Sequence, residues 1–227
     1  MGGKGRFLDR RLQIAASAYY IQWTNIQQAV YVSYCGIQYT TNVGDATSEG
    51  FDLQSQLKVS DHFNLEWTVG YTDAQYSKDA PDPSNPGFYL AKKGDALDVT
   101  PVTATVGGEY SFSLYGHDGY LRADYEFASR RTRTLPGENP ITFLSGPNAG
   151  LNEESNYDGG LVPNPATNQL SARAGLNVNR WDVSIFVENA LDEHPQLNLQ
   201  HQDSGTALFE AETLRPRTIG VAASYRY

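Results

Sequence analysis

The chain has 227 residues, of which 40% are hydrophobic and 12% aromatic, and its formal net charge is -9. This composition is too apolar for a disordered chain, and an acidic protein lacks the basic surface that general nucleic-acid binding requires. No stretch approaches the roughly 18 consecutive apolar residues of a membrane-spanning helix. The 15 Tyr, 21 Gly and 11 Pro instead favour strands joined by turns.

The first residues of the chain and its single cysteine bear on export, disulfide formation and metal binding. Residues 1–7 lack the apolar core of a secretory signal, so an exported protein would be represented here by a mature piece or a fragment. A lone Cys35 allows neither an internal disulfide nor a cysteine-rich metal site. We expect Cys35 to be a loop thiol rather than half of a disulfide whose partner is absent.

Alternation of apolar and polar residues predicts eight β-strands. In the last of them, Ile219 and Val221 alternate with Thr218 and Gly220. In the predicted strand 181–188, Phe186 is an exception to the alternation, because it occupies a position on the polar face. In chain order the predicted strands cover residues 12–23, 51–59, 63–72, 102–114, 120–127, 170–178, 181–188 and 217–227.

The predicted connections alternate in length. Those at 60–62, 116–119 and 179–180 are short, and those at 34–45, 77–95, 135–167 and 190–214 are long. Structureless loops of a dozen residues or more are unusual in a compact soluble domain. Short turns at one end and long loops at the other are typical of an outer-membrane barrel. The pattern therefore predicts a membrane barrel whose C-terminus is periplasmic.

A soluble β-sandwich is the main alternative, because it also buries one face of each strand. It accounts less well for Asp, Glu and Arg in the middle of the polar faces and for long loops at one end only. We favour antiparallel strands of a transmembrane β-barrel.

Three stretches carry a family resemblance: residues 42–53 (NVGDATSEGFDL), 186–193 (FVENALDE) and 215–227 (RPRTIGVAASYRY). In this order they resemble a strand entry, a V-x-N-L segment and the closing strand of the TonB-dependent receptors of Gram-negative outer membranes. Asp52 and Tyr227 stand where the family has Glu and Phe, and Ala190 departs from the second pattern.

The resemblance implies a fold and a domain organisation. Such receptors have a barrel of about 22 strands with an N-terminal plug inside it, and a TonB box ahead of the plug. The eight predicted strands fit the last eight of that barrel. Residues 1–227 are then expected to be one C-terminal barrel segment, with the plug and the TonB box absent.

The resemblance also implies a function in the cell outer membrane. It is TonB-dependent uptake of a scarce nutrient such as a ferric siderophore, cobalamin or a glycan, whose identity this sequence does not reveal. The implied partners are outer-membrane lipid and lipopolysaccharide, the barrel-assembly machinery and, through the missing plug only, the TonB complex. The alternative is a small eight-stranded barrel that acts as an anchor or adhesin, which would require the first strand to pair with the last.

Charged residues on the polar faces are candidates for the barrel lumen, since they would be costly against lipid. These lumen-facing candidates are Arg122, Asp124, Glu126, Arg173, Asp182 and Glu188. We favour mutual neutralisation across strands over direct ligand contact. Arg130, Arg131 and Arg133 are candidates at the outer mouth for an anionic ligand or lipopolysaccharide phosphates. Plain solvated charge is the alternative there.

The resemblance further marks Gly220, Tyr225 and Tyr227 as the strand that the assembly machinery reads. No catalytic site is predicted, because no histidine has a nucleophile and an orienting acid around it. His194 and His201 lie near acidic residues in the last loop, but no ligand spacing supports a metal site. No cofactor is expected.

Overall fold

The computed structural model describes residues 1–32, 37–42, 44–201 and 207–226. Within these ranges every regular element is a strand. The strands are β1 (Gly2–Phe7), β2 (Leu12–Trp23), β3 (Gln27–Val32), β4 (Ile37–Asn42), β5 (Ala46–Lys58), β6 (Phe63–Tyr76), β7 (Ala80–Pro81), β8 (Tyr89–Ala91), β9 (Val102–Leu114), β10 (His117–Ala128), β11 (Thr167–Val178), β12 (Trp181–Glu188), β13 (Leu197–His201), β14 (Phe209–Glu212) and β15 (Thr218–Tyr225). Among the same residues, no helix is long and apolar enough to span a membrane.

Nine strands form one antiparallel sheet in the order β1-β2-β5-β6-β9-β10-β11-β12-β15. Eight of them are the predicted strands, so the all-β antiparallel fold is confirmed. The sequence did not predict β1, because its glycines and cations show no apolar alternation. Pairing with β2 defines this strand, from Gly2 opposite Ser17 to Phe7 opposite Leu12.

The register gives the sheet one polar and one apolar face, since directly opposite residues of antiparallel strands share a face. One polar row crosses seven strands through Arg6, Gln13, Gln56, Glu66, Gly107, Asp124 and Ser171. A neighbouring apolar row runs through Ala16, Leu53, Val69, Ala104 and Phe127. On the apolar face Ile219 is 76% and Val221 71% exposed, so no protein layer of the described chain covers it.

The two ends of the sheet differ in their connections. Short turns occupy residues 8–11, 59–62, 115–116 and 179–180, and long loops occupy 24–45, 77–101, 129–166 and 189–217. All turns lie at one end, the turn end, and all loops lie at the other, the loop end. The predicted turn at 116–119 was too long, because His117 pairs with Leu114 and already belongs to β10.

The long loops contain short hairpins. The predicted loop 34–45 was partly wrong, because β4 pairs with β3 from Ile37 to Asn42. Residues 33–36, with Cys35, and residue 43 lie outside the described chain. Two further hairpins, β7–β8 and β13–β14, lie in the second and fourth long loops.

The hydrophobic core lies at the loop end rather than along the sheet. It consists of Ile26, Val30, Ala46, Tyr76, Ala80, Leu90 and Ala91. Besides the nine-stranded sheet, the described residues form only three two-stranded sheets, all within the long loops, so the architecture is not a sandwich. Its edge strands pair on one side only, β1 with β2 and β15 with β12, so the described strands do not close into a barrel of their own.

Candidate functional site: the polar face and the loop end

A concave pocket of about 1020 Å³ lies on the polar face between β1 and β10. Charged side chains from three strands line it: Lys4 and Arg6 from β1, Glu66 from β6, and Asp124 and Glu126 from β10. The concave surface therefore has cations from β1 at one edge, and Arg122 among carboxylates from β6 and β10 across the rest.

Arg122 organises the charges in this pocket. Its Nε and Nη2 atoms donate to the two carboxylate oxygens of Asp124 at 2.8 and 2.7 Å, and Nη2 also donates to Glu66. Glu109, directly opposite on β9, lies 3.7 Å from Nη1. The guanidinium fork matches a carboxylate with two parallel bonds, which fixes the arginine as well as its charge. Two of the lumen-facing candidates are thus bonded to one another.

The neighbouring Gly107 makes room for this network. A Cβ atom at this position would lie 2.6 Å from Asp124 Oδ1 and 3.2 Å from Glu66 Cγ. Sequence reasoning did not identify Glu66 or Gly107, although a glycine on the polar side of a strand can signal such a close approach.

The remaining lumen-facing candidates are spread over the polar face. Glu126 lines the pocket, and Arg173 stacks over the ring of Phe186 at 5.4 Å. Asp182 accepts a hydrogen bond from the Tyr120 hydroxyl at 3.3 Å. Glu188 accepts one from Arg215 Nη1 at 3.3 Å. The structure brings Arg122, Asp124 and Glu126 together and leaves the other three apart, and a lumen role for all six stays a prediction.

The three outer-mouth candidates have different environments. Arg131 is buried and pairs with Asp98 at 2.6 Å and with Glu138 at 2.7 Å. Arg133 is partly exposed and pairs with Asp73 at 3.0 Å. Arg130 is exposed and makes no ion pair within the described residues.

Arg130 and Arg133 line a pocket of about 370 Å³ at the loop end, together with Tyr71 and Thr132. Arg131 also lines this pocket, but its guanidinium is already paired with Asp98 and Glu138 inside the loops.

The long loops also contain buried carboxyls that the sequence did not predict. Asp82, Asp95 and Glu154 are at most 6% exposed. Burial, together with the neighbouring acid Asp95, raises the pKa of Glu154 to about 8. These residues lie in irregular loops, where no periodicity shows which acids will be buried.

The histidines of the last loop form pairs rather than a metal site. His201 Nδ1 lies 2.6 Å from Asp158 Oδ2, and His194 Nε2 lies 3.3 Å from Asp192 Oδ1. No cluster of three or more His, Cys, Asp or Glu side chains suited to a metal ion occurs in the described part of the chain.

The assembly-signal candidates lie on the last strand of the sheet. Gly220 is opposite Phe186 on β12, and the Tyr225 ring packs against Trp181 with centroids 5.1 Å apart. Tyr227 lies outside the described residues.

This architecture is that of the wall of a transmembrane β-barrel: one layer, a polar and an apolar face, turns at one end and long loops at the other. The family model of the β-barrel of TonB-dependent receptor-like proteins matches residues 2–190. The chain therefore belongs to the TonB-dependent receptor family.

A curated relative is the metal-pseudopaline receptor CntO of Pseudomonas aeruginosa, which is 29% identical over 127 residues, 55% of this chain. The match covers 16% of that relative's length. This relative and the similar solved structures are receptors and a transporter rather than enzymes.

Solved structures share the fold at low sequence identity. The ferric yersiniabactin uptake receptor FyuA from Yersinia pestis has a TM-score of 0.68 and 12% identity, covering 98% of this chain and 28% of the receptor. The siderophore receptor PiuA from Acinetobacter baumannii has a TM-score of 0.63 and 18% identity, with coverage of 98% and 27%. The copper transporter OprC has a TM-score of 0.62 and 15% identity, with coverage of 95% and 29%.

Proposed function

We propose that this chain is part of the barrel wall of an outer-membrane receptor that takes up a metal chelate with energy supplied by the TonB complex. The observation that carries the proposal is the single-layer sheet, polar on one face, apolar on the other and unpaired at both edges. Such a sheet requires lipid on one side and solvated or protein-filled space on the other. Membership of the receptor family supports the uptake role.

A metal chelate is favoured over cobalamin or a glycan as the substrate class. The relatives and structural neighbours are named for metal-pseudopaline, ferric yersiniabactin, siderophores and copper. The ligand would meet the loop end first, because the loops there are the longest irregular segments.

The rest of the receptor would supply the parts that uptake requires. The chain spans between 16% and 29% of the length of the relatives described above. In this proposal residues 1–227 are the C-terminal barrel segment, and a plug with its TonB box belongs to the remainder. Further strands would pair with the free edges of β1 and β15, and the Arg122 network would face the plug.

The different lengths of the connections at the two ends of the sheet support an orientation. Long loops are extracellular and short turns periplasmic in barrels of this type, so the C-terminal end of β15 would lie in the periplasm. In this orientation β15, with Gly220, Tyr225 and Tyr227, would be the strand that the barrel-assembly machinery reads.

The exposed arginines at the loop end would bind lipopolysaccharide phosphates. Arg130 has no acidic partner in the described residues, and Arg133 has one, so both retain capacity for an anion. Their pocket includes Tyr71, an aromatic residue of the kind that lies at a membrane boundary. The R130Q/R133Q double variant should lose affinity for lipopolysaccharide, whereas K93Q, at another exposed loop-end cation, should not. Equal binding of lipopolysaccharide stripped of its lipid A phosphates would contradict this role.

The alternative function, a small closed barrel acting as an anchor or adhesin, lacks its distinguishing observation. It requires pairing between the first and last strands. In the described chain β1 pairs only with β2, and β15 only with β12.

Uptake of radiolabelled substrates by whole cells tests the main proposal. The gene for the complete receptor is deleted and then restored, with and without functional TonB, and a panel of metal chelates, cobalamin and glycans is offered. We expect one metal chelate to depend on both the receptor and TonB. Uptake without TonB would contradict the energy source, and dependence of cobalamin or a glycan alone would contradict the substrate class.

A further inference from the structure

Two of the long loops, residues 77–101 and 129–166, are joined by a pair of buried acids. Asp95 comes from the first loop and is 2% exposed, and Glu154 comes from the second and is 3% exposed. Their carboxyl groups are close neighbours, because both accept from the same Asn139 side-chain amide. A hydrogen bond between two carboxyl groups requires a proton on one of them, since two carboxylates have no donor to share.

Neutral donors around the pair hold it in place. Asn139 Nδ2 donates to Asp95 Oδ1 at 2.6 Å and lies 3.4 Å from Glu154 Oε1. The Gly137 N–H donates to Glu154 Oε2 at 2.8 Å, and the Lys92 N–H donates to Asp95. These bonds orient the two acids, but none of them brings a positive charge.

Of the cations on these two loops near the pair, Lys93 is exposed at the surface, and Lys92 and Arg131 are paired with other acids. Lys92 Nζ lies 3.1 Å from Asp79 and 3.0 Å from Glu153. On the other side, Arg131 is bonded to Asp98 and Glu138.

From β6, Tyr76 packs beside Asp95, whose carbonyl accepts its N–H at 2.9 Å. Tyr76 is buried and belongs to the hydrophobic core, so it adds no positive charge. Among the described residues, therefore, no cation is bonded to the acid pair.

We propose that Asp95 and Glu154 form a proton-dependent clasp that docks these two loops on each other over the loop end of the barrel. With one shared proton the clasp is closed. When both acids are ionised, two like charges lie in a buried site without a cation, and the loops separate or admit water.

The direction of the pH dependence follows from burial. A carboxyl whose pKa is higher in the docked state than in the open state favours docking at low pH. For Glu154 the advantage is complete below about pH 4.5, the value of an exposed glutamate, and is lost as the pH rises through about 8. Acidic surroundings would tighten the loops, and alkaline surroundings would loosen them.

Backbone contacts limit the movement. Tyr89 and Glu154 form a bridge in which the Tyr89 N–H donates to the Glu153 carbonyl at 3.0 Å and the Ser155 N–H donates to the Tyr89 carbonyl at 2.9 Å. We therefore expect a partial opening centred on the acid pair rather than unfolding of either loop.

Pulsed electron-spin distance measurements on the complete receptor in lipid test the clasp. Spin labels at the exposed positions of Lys93→Cys and Asn156→Cys, in a Cys35→Ser background, report the distance between the loops. A control pair at Tyr115→Cys and Arg180→Cys reports on the turn end and on whether the barrel is folded.

The native clasp should give one narrow distance at pH 5 and a broader, longer distribution at pH 9, while the control pair stays constant. Glu154→Gln keeps the shape and hydrogen-bonding capacity of the protonated acid, so the narrow distance should persist at both pH values. An unchanged native distribution between pH 5 and pH 9 would overturn the proposal. So would a Glu154→Gln variant that opens like the native receptor. The distance readout needs no ligand, so failure here is distinct from failure of the proposed uptake.

Discussion

The ring of Phe186 lies over Gly220, the residue directly opposite it on β15. A Cβ atom at Gly220 would lie 2.5 Å from Phe186 Cζ. The guanidinium of Arg173 stacks over the same ring on the polar face. Phe186, the aromatic residue that breaks the alternation of β12, thus fits on the polar face because the residue opposite it has no side chain. Tyr120 covers Gly175 in the same way, with its Cε1 2.5 Å from a Cβ at that position.

Replacement of Gly220 should weaken the pairing of the last two strands. In Gly220→Ala the new methyl group displaces the Phe186 ring, and overpacking of this kind costs about 1–3 kcal/mol. The midpoint of urea unfolding of the complete receptor in detergent measures the loss. Gly3→Ala is the control, because nothing lies within 4 Å of a Cβ there. Combination with Phe186→Ala should remove the penalty, and an equal loss in that background would contradict the account.

Removal of the Arg122 charge should weaken the polar face. Arg122→Gln leaves Glu66, Glu109 and Asp124 close together without their shared cation. Because the network is partly exposed, we expect a loss of about 1 kcal/mol that shrinks at high salt.

Arg6→Gln is the matched control for this prediction, since Arg6 lies on the same face and makes no ion pair in the described chain. Urea unfolding at low and high salt compares the two variants. A larger effect of Arg6→Gln, or no effect of salt on the Arg122→Gln loss, would mean that the charge network does not stabilise the wall.

The buried arginine of the loops should matter more than its exposed neighbour. Arg131→Gln leaves Glu138 buried without its cation, which costs about 3 kcal/mol when one partner of a buried pair is removed. Limited proteolysis should then cut residues 129–166 faster while the sheet stays intact. Arg130→Gln should leave the cleavage rate unchanged, and similar rates in the two variants would refute the distinction.

The sheet could be predicted because apolar and polar residues alternate along its strands. Strands with one face toward lipid must repeat every second residue, and β15 shows this in Ile219 and Val221 against Thr218 and Gly220. β1 was missed because Gly2, Gly3 and Gly5 provide no side chains that could alternate. The assignment of this strand depends on its pairing with β2, which a local sequence window does not contain.

The loop interior could not be predicted for a different reason. Asp95 and Glu154 are 59 positions apart by their numbers and meet only through the packing of two irregular loops. Their residue types alone suggest exposed charge, as those of Arg131 and Glu138 did. Alternation correctly separated the polar from the apolar positions of the strands. It could not show that Glu66 and Glu109 pair with Arg122, because these residues lie on other strands and no sequence motif links them.

The most direct test of the account is the environment of two adjacent residues on β15. Val221→Cys and Ala222→Cys, each in the complete receptor with Cys35→Ser, are labelled with a fluorophore in lipid vesicles and exposed to brominated lipid or to an aqueous quencher. We expect lipid to quench the label at 221 and not the label at 222, because the two side chains lie on opposite faces of the wall. Equal access of the aqueous quencher to both labels would contradict a membrane-spanning sheet.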